Sequence, residues 1–116
     1  GIHKLVRRWP WSAAMAMALT GEFISAAEAH RVGLVNEVVP LEGLRAATER
    51  WVAKVLACAP LAVQAAKEAG VQGLEMGLWE AVNTVFAGAE RMYGSEDFVE
   101  GAKAFVEKRE VVWKGR

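Results

Sequence analysis

The spacing of Leu41, Leu44, Thr48, Trp51 and Val55 most constrains what this chain can become. Steps of three and four place all five on one side of a 3.6-residue helix, with Glu42, Arg45, Glu49 and Lys54 available for the other. A half-buried strand would alternate by two, and this segment does not. The same period recurs elsewhere. Ile2, Leu5, Val6 and Trp9 predict a helix over 2–9. Leu78, Val82, Val85, Ala89 and Met92 predict one helix over 78–92, and Phe98, Ala102 and Phe105, backed by Val99 and Val106, predict the apolar stripe of a last helix.

The punctuation between these runs is equally legible. Pro10 breaks the first helix and opens a second, Trp11–Leu19, which is apolar almost all round and should be buried on most sides. Gly21 suits a left-handed cap. "SAAE" (25–28) fits a capping box, with Ser25 bonding forward and Glu28 reaching back, before a short helix that ends at Gly33. "LVNEVV" (34–39) reads as a short strand or extended connector that Pro40 terminates. The helix beginning at Leu41 should reach about Cys58. Pro60 opens the next, whose small face (Ala62, Ala65, Ala66, Ala69) suits close packing, while Gly70, Gly73 and Gly77 mark a loop or loosened end. Gly94 and Ser95 separate the last two helices. The expected fold is all-α, with six or seven helices and at most one short strand.

A length of 116 residues is one domain or part of one, enough to bury roughly two-thirds of the unfolded surface. Its 21 alanines favour helices with small contact faces. The single cysteine, Cys58, excludes an internal disulfide and reads as a small buried hydrophobe in "VLACAPL". His3 and His30 have no zinc-ligand spacing, so no metal is expected. The longest charge-free run, Trp9–Gly21, has 13 residues. A bilayer span needs about 20, and the run lacks a signal-peptide pattern, so no membrane is expected as a partner; with nothing asking for an oxidising compartment, the cytoplasm is the expected location.

Net charge is zero but unevenly placed. Residues 1–20 carry Lys4, Arg7 and Arg8 and no acid, residues 108–116 carry four bases against Glu110, and the middle has seven bases against thirteen acids. A nucleic-acid binder would show an extended basic face, so none is expected, although two small basic ends could meet a small anion. The residues alone display no active site. There is no phosphate loop and no GxSxG elbow. The single aspartate, Asp97, sits in a first helical turn, where a carboxylate suits the helix dipole.

Three stretches in order nevertheless resemble the enoyl-CoA hydratase/isomerase (crotonase) family: "ALTGEFISAAEAHRVGLVNEVVP" (18–40), "APLAVQAAKEA" (59–69) and "SEDFVEGAKAFVEKREVVWKGR" (95–116). The ending "VWKGR" is similar to carnitinyl-CoA dehydratase-like members. The resemblance implies that residues 1–116 are the C-terminal helical region of a crotonase fold, lacking the N-terminal ββα spiral core. In the family that core holds the oxyanion-hole amides and two catalytic glutamates acting through water. Gly1 matches the last glycine of a pair that follows the second glutamate, so this chain is expected to be a fragment with no catalytic residue of its own.

The resemblance also implies an enoyl-CoA hydratase or dehydratase as the parent, with no cofactor beyond the coenzyme A of its acyl-CoA thioester substrate. Carried over residue by residue, Phe105 would lie against bound CoA or acyl group. Lys108 would approach a CoA phosphate, and Lys4 and Arg7 would be structural. The family assembles as trimers, and the region would cover the acyl-CoA site and build subunit contacts. The alternative is a helical oligomerisation module without activity, forming dimers or trimers through faces that lack a core to pack on.

Overall fold

The structure, a computed structural model, describes all of residues 1–116 and contains helices and connectors with no strand. It divides into two compact units, Gly1–Thr48 and Glu49–Arg116.

In the first unit, α1 (Ile2–Arg8) and α2 (Trp11–Thr20) meet across a joint at Trp9 and Pro10. Proline has no N–H to continue α1, and its carbonyl accepts from the Ala14 amide at 3.0 Å to start α2. Trp9 and Ala14 are buried at this joint. The apolar surround of α2 is not: Trp11 and Leu19 stand largely in solvent, contrary to the expected burial, because this chain supplies no second layer to cover them. Gly21 takes the expected left-handed cap, with φ 70°.

Helix α3 (Ala26–Arg31) starts with half of its expected capping box. The Ser25 hydroxyl accepts from the Glu28 amide at 3.1 Å, but the Glu28 carboxylate turns to Arg31 at 2.6–2.7 Å instead of reaching back. A charge-assisted fork outcompetes a bond to a neutral amide. Residues 34–40 form an irregular connector, which settles the choice between strand and connector left open by "LVNEVV". A 3-10 turn at Leu41–Gly43 then leads into α4 (Leu44–Leu56), so the helix expected from Leu41 begins three residues later and ends before Cys58. Cys58 is exposed rather than buried.

In the second unit, α5 (Pro60–Gly73) runs through Gly70 as regular helix. Its small face does what small faces permit: Ala65 is buried against α7 (Ala87–Tyr93), and a Cβ on Gly88 would lie 3.0 Å from the Ala65 Cα. The Gly88 amide, freed at the start of α7, donates to the Glu68 carboxylate at 2.6 Å.

The single helix expected over 78–92 is two helices, α6 (Leu78–Asn83) and α7, broken at 84–86. Local side chains compete with the helix here. The Asn83 amide donates to the Trp79 carbonyl at 2.7 Å and the Thr84 hydroxyl to the Glu80 carbonyl at 2.8 Å, followed by β-branched Val85. The break turns Phe86 inward, where it is buried.

Helix α8 (Glu96–Glu107) corrects a further expectation. Its covered face is Asp97, Gly101 and Ala104 at i, i+4 and i+7, whereas Phe98 and Phe105 are exposed. Phe98 finds an edge-on partner in Tyr93, with ring centroids 5.3 Å apart. No helix of the chain is long and apolar enough to cross a membrane.

Candidate functional site

The polar groups of the second unit converge on α8 and the eight residues after it. Ser95 caps the helix, its hydroxyl accepting from the Phe98 amide at 3.1 Å and donating to the Met92 carbonyl at 2.6 Å. Residues 109–116 then fold back along α8 as an extended strap. At its far end the Arg116 carbonyl accepts from the Glu96 amide at 2.7 Å, so the chain's own end occupies the positive terminus of the helix.

Three carboxylates clasp this strap. Asp97, only 2% exposed, accepts from the backbone amides of Lys114 at 2.7 Å and Gly115 at 2.8 Å, one on each oxygen. Both lone-pair faces are thereby matched to donors, which is what burying a carboxylate requires. Glu100 holds Arg109 as a two-pronged fork at 2.7 and 2.9 Å and also accepts from the Val112 amide at 3.2 Å. The Arg109 fork first, and the Val112 amide second, pull the Glu100 carboxyl down to about 2. Glu96 pairs with Lys114 at 2.8 Å and Arg116 at 3.3 Å, and the Lys114 bond chiefly lowers its pKa.

Trp113 lies under this clasp. Its ring rests over Gly101, where an added Cβ would come within 3.2 Å of the indole, and its Nε1 donates to the Ala57 carbonyl at 2.9 Å. Glycine at 101 is therefore a matter of room.

The basic C-terminal end expected to meet an anion is largely neutralised, because Arg109 is taken by Glu100 and Glu107 while Lys114 and Arg116 are taken by Glu96. Lys108 has no such acidic partner. Its backbone is also unusual, with φ 51° and ψ 40°, the only non-glycine residue at positive φ. Helix α8 ends in a paired pattern: the Lys108 amide donates to the Phe105 carbonyl at 3.4 Å and the Arg109 amide to the Ala104 carbonyl at 3.1 Å. Helix α3 ends in the same pattern, with Gly33 to His30 at 3.0 Å and Leu34 to Ala29 at 2.8 Å, but there the left-handed residue is glycine, φ 78°. A side chain in this conformation costs about 1 kcal/mol relative to the right-handed helix.

An open groove of about 610 Å³ runs beside these residues, walled by Leu56, Ala57, Phe105, Arg109 and Trp113 among others. Phe105 is 86% exposed and lines it, and Lys108 follows one turn later, outside the wall. The two residues carried over from the family resemblance are thus both solvent-accessible at one end of α8. Sequence spacing does not mark Asp97, Glu100 and Trp113 as members of a site. The signal that could have found them is the run of carboxylate and small residues at 97, 101 and 104, a helix face with room for backbone. No three histidine, cysteine or acidic side chains converge on a metal-binding geometry.

Known proteins resemble this chain over its whole length. Residues 1–116 match the family described as enoyl-CoA hydratase/isomerase. The (E)-benzylidenesuccinyl-CoA hydratase of Thauera aromatica is 41% identical over 99% of this chain and 45% of its own length. Carnitinyl-CoA dehydratase of Citrobacter koseri is 37% identical over 100% of this chain and 46% of its own. Among solved structures, a protein described as a short chain enoyl-CoA hydratase from Novosphingobium aromaticivorans superposes with a TM-score of 0.95 at 44% identity, over 99% of this chain and 45% of that one. An enoyl-CoA hydratase from Mycobacterium tuberculosis gives 0.92 at 31% identity over 99% of this chain and 46% of that one. The chain spans less than half the length of these relatives and corresponds to their C-terminal, helical part. It belongs to the enoyl-CoA hydratase/isomerase family.

Proposed function

We propose that residues 1–116 are the acyl-CoA-covering and assembly region of an enoyl-CoA hydratase or dehydratase, without catalytic groups of their own. Phe105 offers an apolar face to the CoA or acyl group, and Lys108 offers a point charge to a phosphate. The observation that carries this reading is Lys108 itself. It holds a left-handed position that α3 gives to glycine, and it is the cation of the C-terminal segment that no carboxylate claims. A residue kept where it costs stability points to a role outside the fold. Relatives named for their action on CoA thioesters supply the ligand class.

Glu22 and Glu28 both line an apolar hollow beside Trp9, Met17 and Phe23, but the Glu28 carboxylate is taken by Arg31, and we assign neither a catalytic role. The test is a crotonyl-CoA hydration assay on the 116-residue chain. We expect no turnover above the buffer rate. Turnover that disappears in Lys108→Ala would overturn the assignment of an uncatalytic region.

Exposed apolar faces support a reading of self-association. Trp11, Leu19, Leu41, Leu78 and Trp79 are exposed large apolar side chains, and burying such surface is worth about 25 cal/mol per Å². We expect dimers or trimers in light scattering. A monomer that persists at high concentration would remove this part of the proposal.

A further inference from the structure

We infer that Trp113 is a specificity-determining partition: it closes the Phe105 groove against a second, apolar hollow and so limits the length of apolar chain the groove accepts. This rests on the acyl-CoA reading of the groove. The hollow also has the ring on its lining, has a volume of about 290 Å³, and is walled by Leu61, Ala62, Met92, Phe98 and Ala102 together with Ser95 and Asp97. Both spaces share two residues that matter here, Gly101 and Trp113. The indole rests on the Gly101 backbone, with no side chain beneath it, and borders both a groove with polar groups at Arg109 and Glu110 and an open, mostly apolar hollow.

The partition is held from both sides. The indole N–H is fixed to the Ala57 carbonyl, and the next two residues have their amides locked on buried Asp97. Swinging the ring aside breaks its bond to Ala57, and shifting the strap that carries it breaks the two amide bonds to Asp97 as well. Asp97 is therefore a positioning residue for the ring, acting through the strap rather than by touching a ligand in the groove. Removing the indole joins the groove to a hollow whose lining suits a hydrocarbon chain, its polar members Ser95 and Asp97 being already committed to backbone partners.

The experiment compares the full chain with Trp113→Ala by calorimetric titration of butyryl-CoA, dodecanoyl-CoA and free dodecanoate. We expect Trp113→Ala to bind dodecanoyl-CoA at least 10-fold more tightly than the unsubstituted chain, with butyryl-CoA changed less than 2-fold. Free dodecanoate should gain in the same direction. If neither CoA ester binds either protein but dodecanoate gains in Trp113→Ala, the acyl-CoA reading fails and the partition stands. If a folded Trp113→Ala gains for neither dodecanoyl-CoA nor dodecanoate, the partition is wrong. Should Trp113→Ala lose its helical circular dichroism, Trp113→Leu carries the same comparison with an expected gain of about 3-fold, and no gain overturns the proposal equally. Asp97→Asn, which loosens the ring without removing it, should show a smaller gain of the same sign together with faster exchange of the Lys114 and Gly115 amides. Faster exchange with no gain would deny Asp97 its positioning role.

Discussion

Two helices of this chain end in the same hydrogen-bond pattern and fill its left-handed position differently, one with Gly33 and one with Lys108. The difference is measurable. Lys108→Gly relieves the steric cost of a Cβ at φ 51° and should raise stability by about 0.5–1 kcal/mol in thermal denaturation, the unfolded-state entropy of glycine offsetting part of the gain. Lys108→Ala keeps the Cβ and should leave stability nearly unchanged. Equal melting temperatures for Lys108→Gly and the parent chain would mean the position carries no strain. Gly88 is the opposite case. A methyl group there clashes with the Glu68 Oε2 that accepts from the Gly88 amide and meets the Ala65 Cα at 3.0 Å, so Gly88→Ala should cost about 1–3 kcal/mol. Denaturant unfolding at unchanged midpoint would contradict the close α5–α7 contact.

At the scale of elements, α8 and its strap act as one piece. Glu100 has its carboxyl pulled to about 2 in the folded chain, below the ordinary 4.5. A group with a depressed folded pKa contributes stability that is fully present above its unfolded value and is lost as pH falls through the folded one. The clasp should therefore weaken between pH 4.5 and about 2, with Lys103 and Arg109 as the neighbouring cations that resist its protonation. The Val112 amide resonance should report it, titrating with a midpoint near 2, and Glu100→Gln should abolish that titration. A Val112 shift that follows an ordinary carboxylate midpoint would dissolve the fork.

Sequence periodicity located α8 and its Ser95 cap but assigned the wrong inward face. It weighed large apolar residues as core, whereas the partner of α8 is its own returning backbone, which demands Asp97, Gly101 and Ala104 instead. The break between α6 and α7 was hidden for a related reason. Hydrophobic spacing continues across 84–86, and only the side-chain hydrogen bonds of Asn83 and Thr84 end the helix. The second hollow behind Trp113 depends on how strap and helix meet, which no local pattern records.

For the whole molecule, the helical class, most boundaries and the family were legible, because caps, prolines and three ordered stretches each act locally. Burial was not. The faces around Trp11 and Leu41 follow core spacing yet stand in solvent, since spacing states which side of a helix is apolar but not what covers it. The proposed role of α8 is that its accessible end meets coenzyme A. Calorimetric titration of the 116-residue chain with butyryl-CoA at low ionic strength, beside Lys108→Ala and Phe105→Ala, tests it most directly. Saturable binding by the parent chain, weakened about 5-fold by Lys108→Ala, is predicted; that factor corresponds to about 1 kcal/mol for one exposed charge contact. Phe105→Ala should weaken it by a similar factor, with no added salt dependence. Equal affinity in all three proteins, or no binding by the parent chain, would contradict the claim.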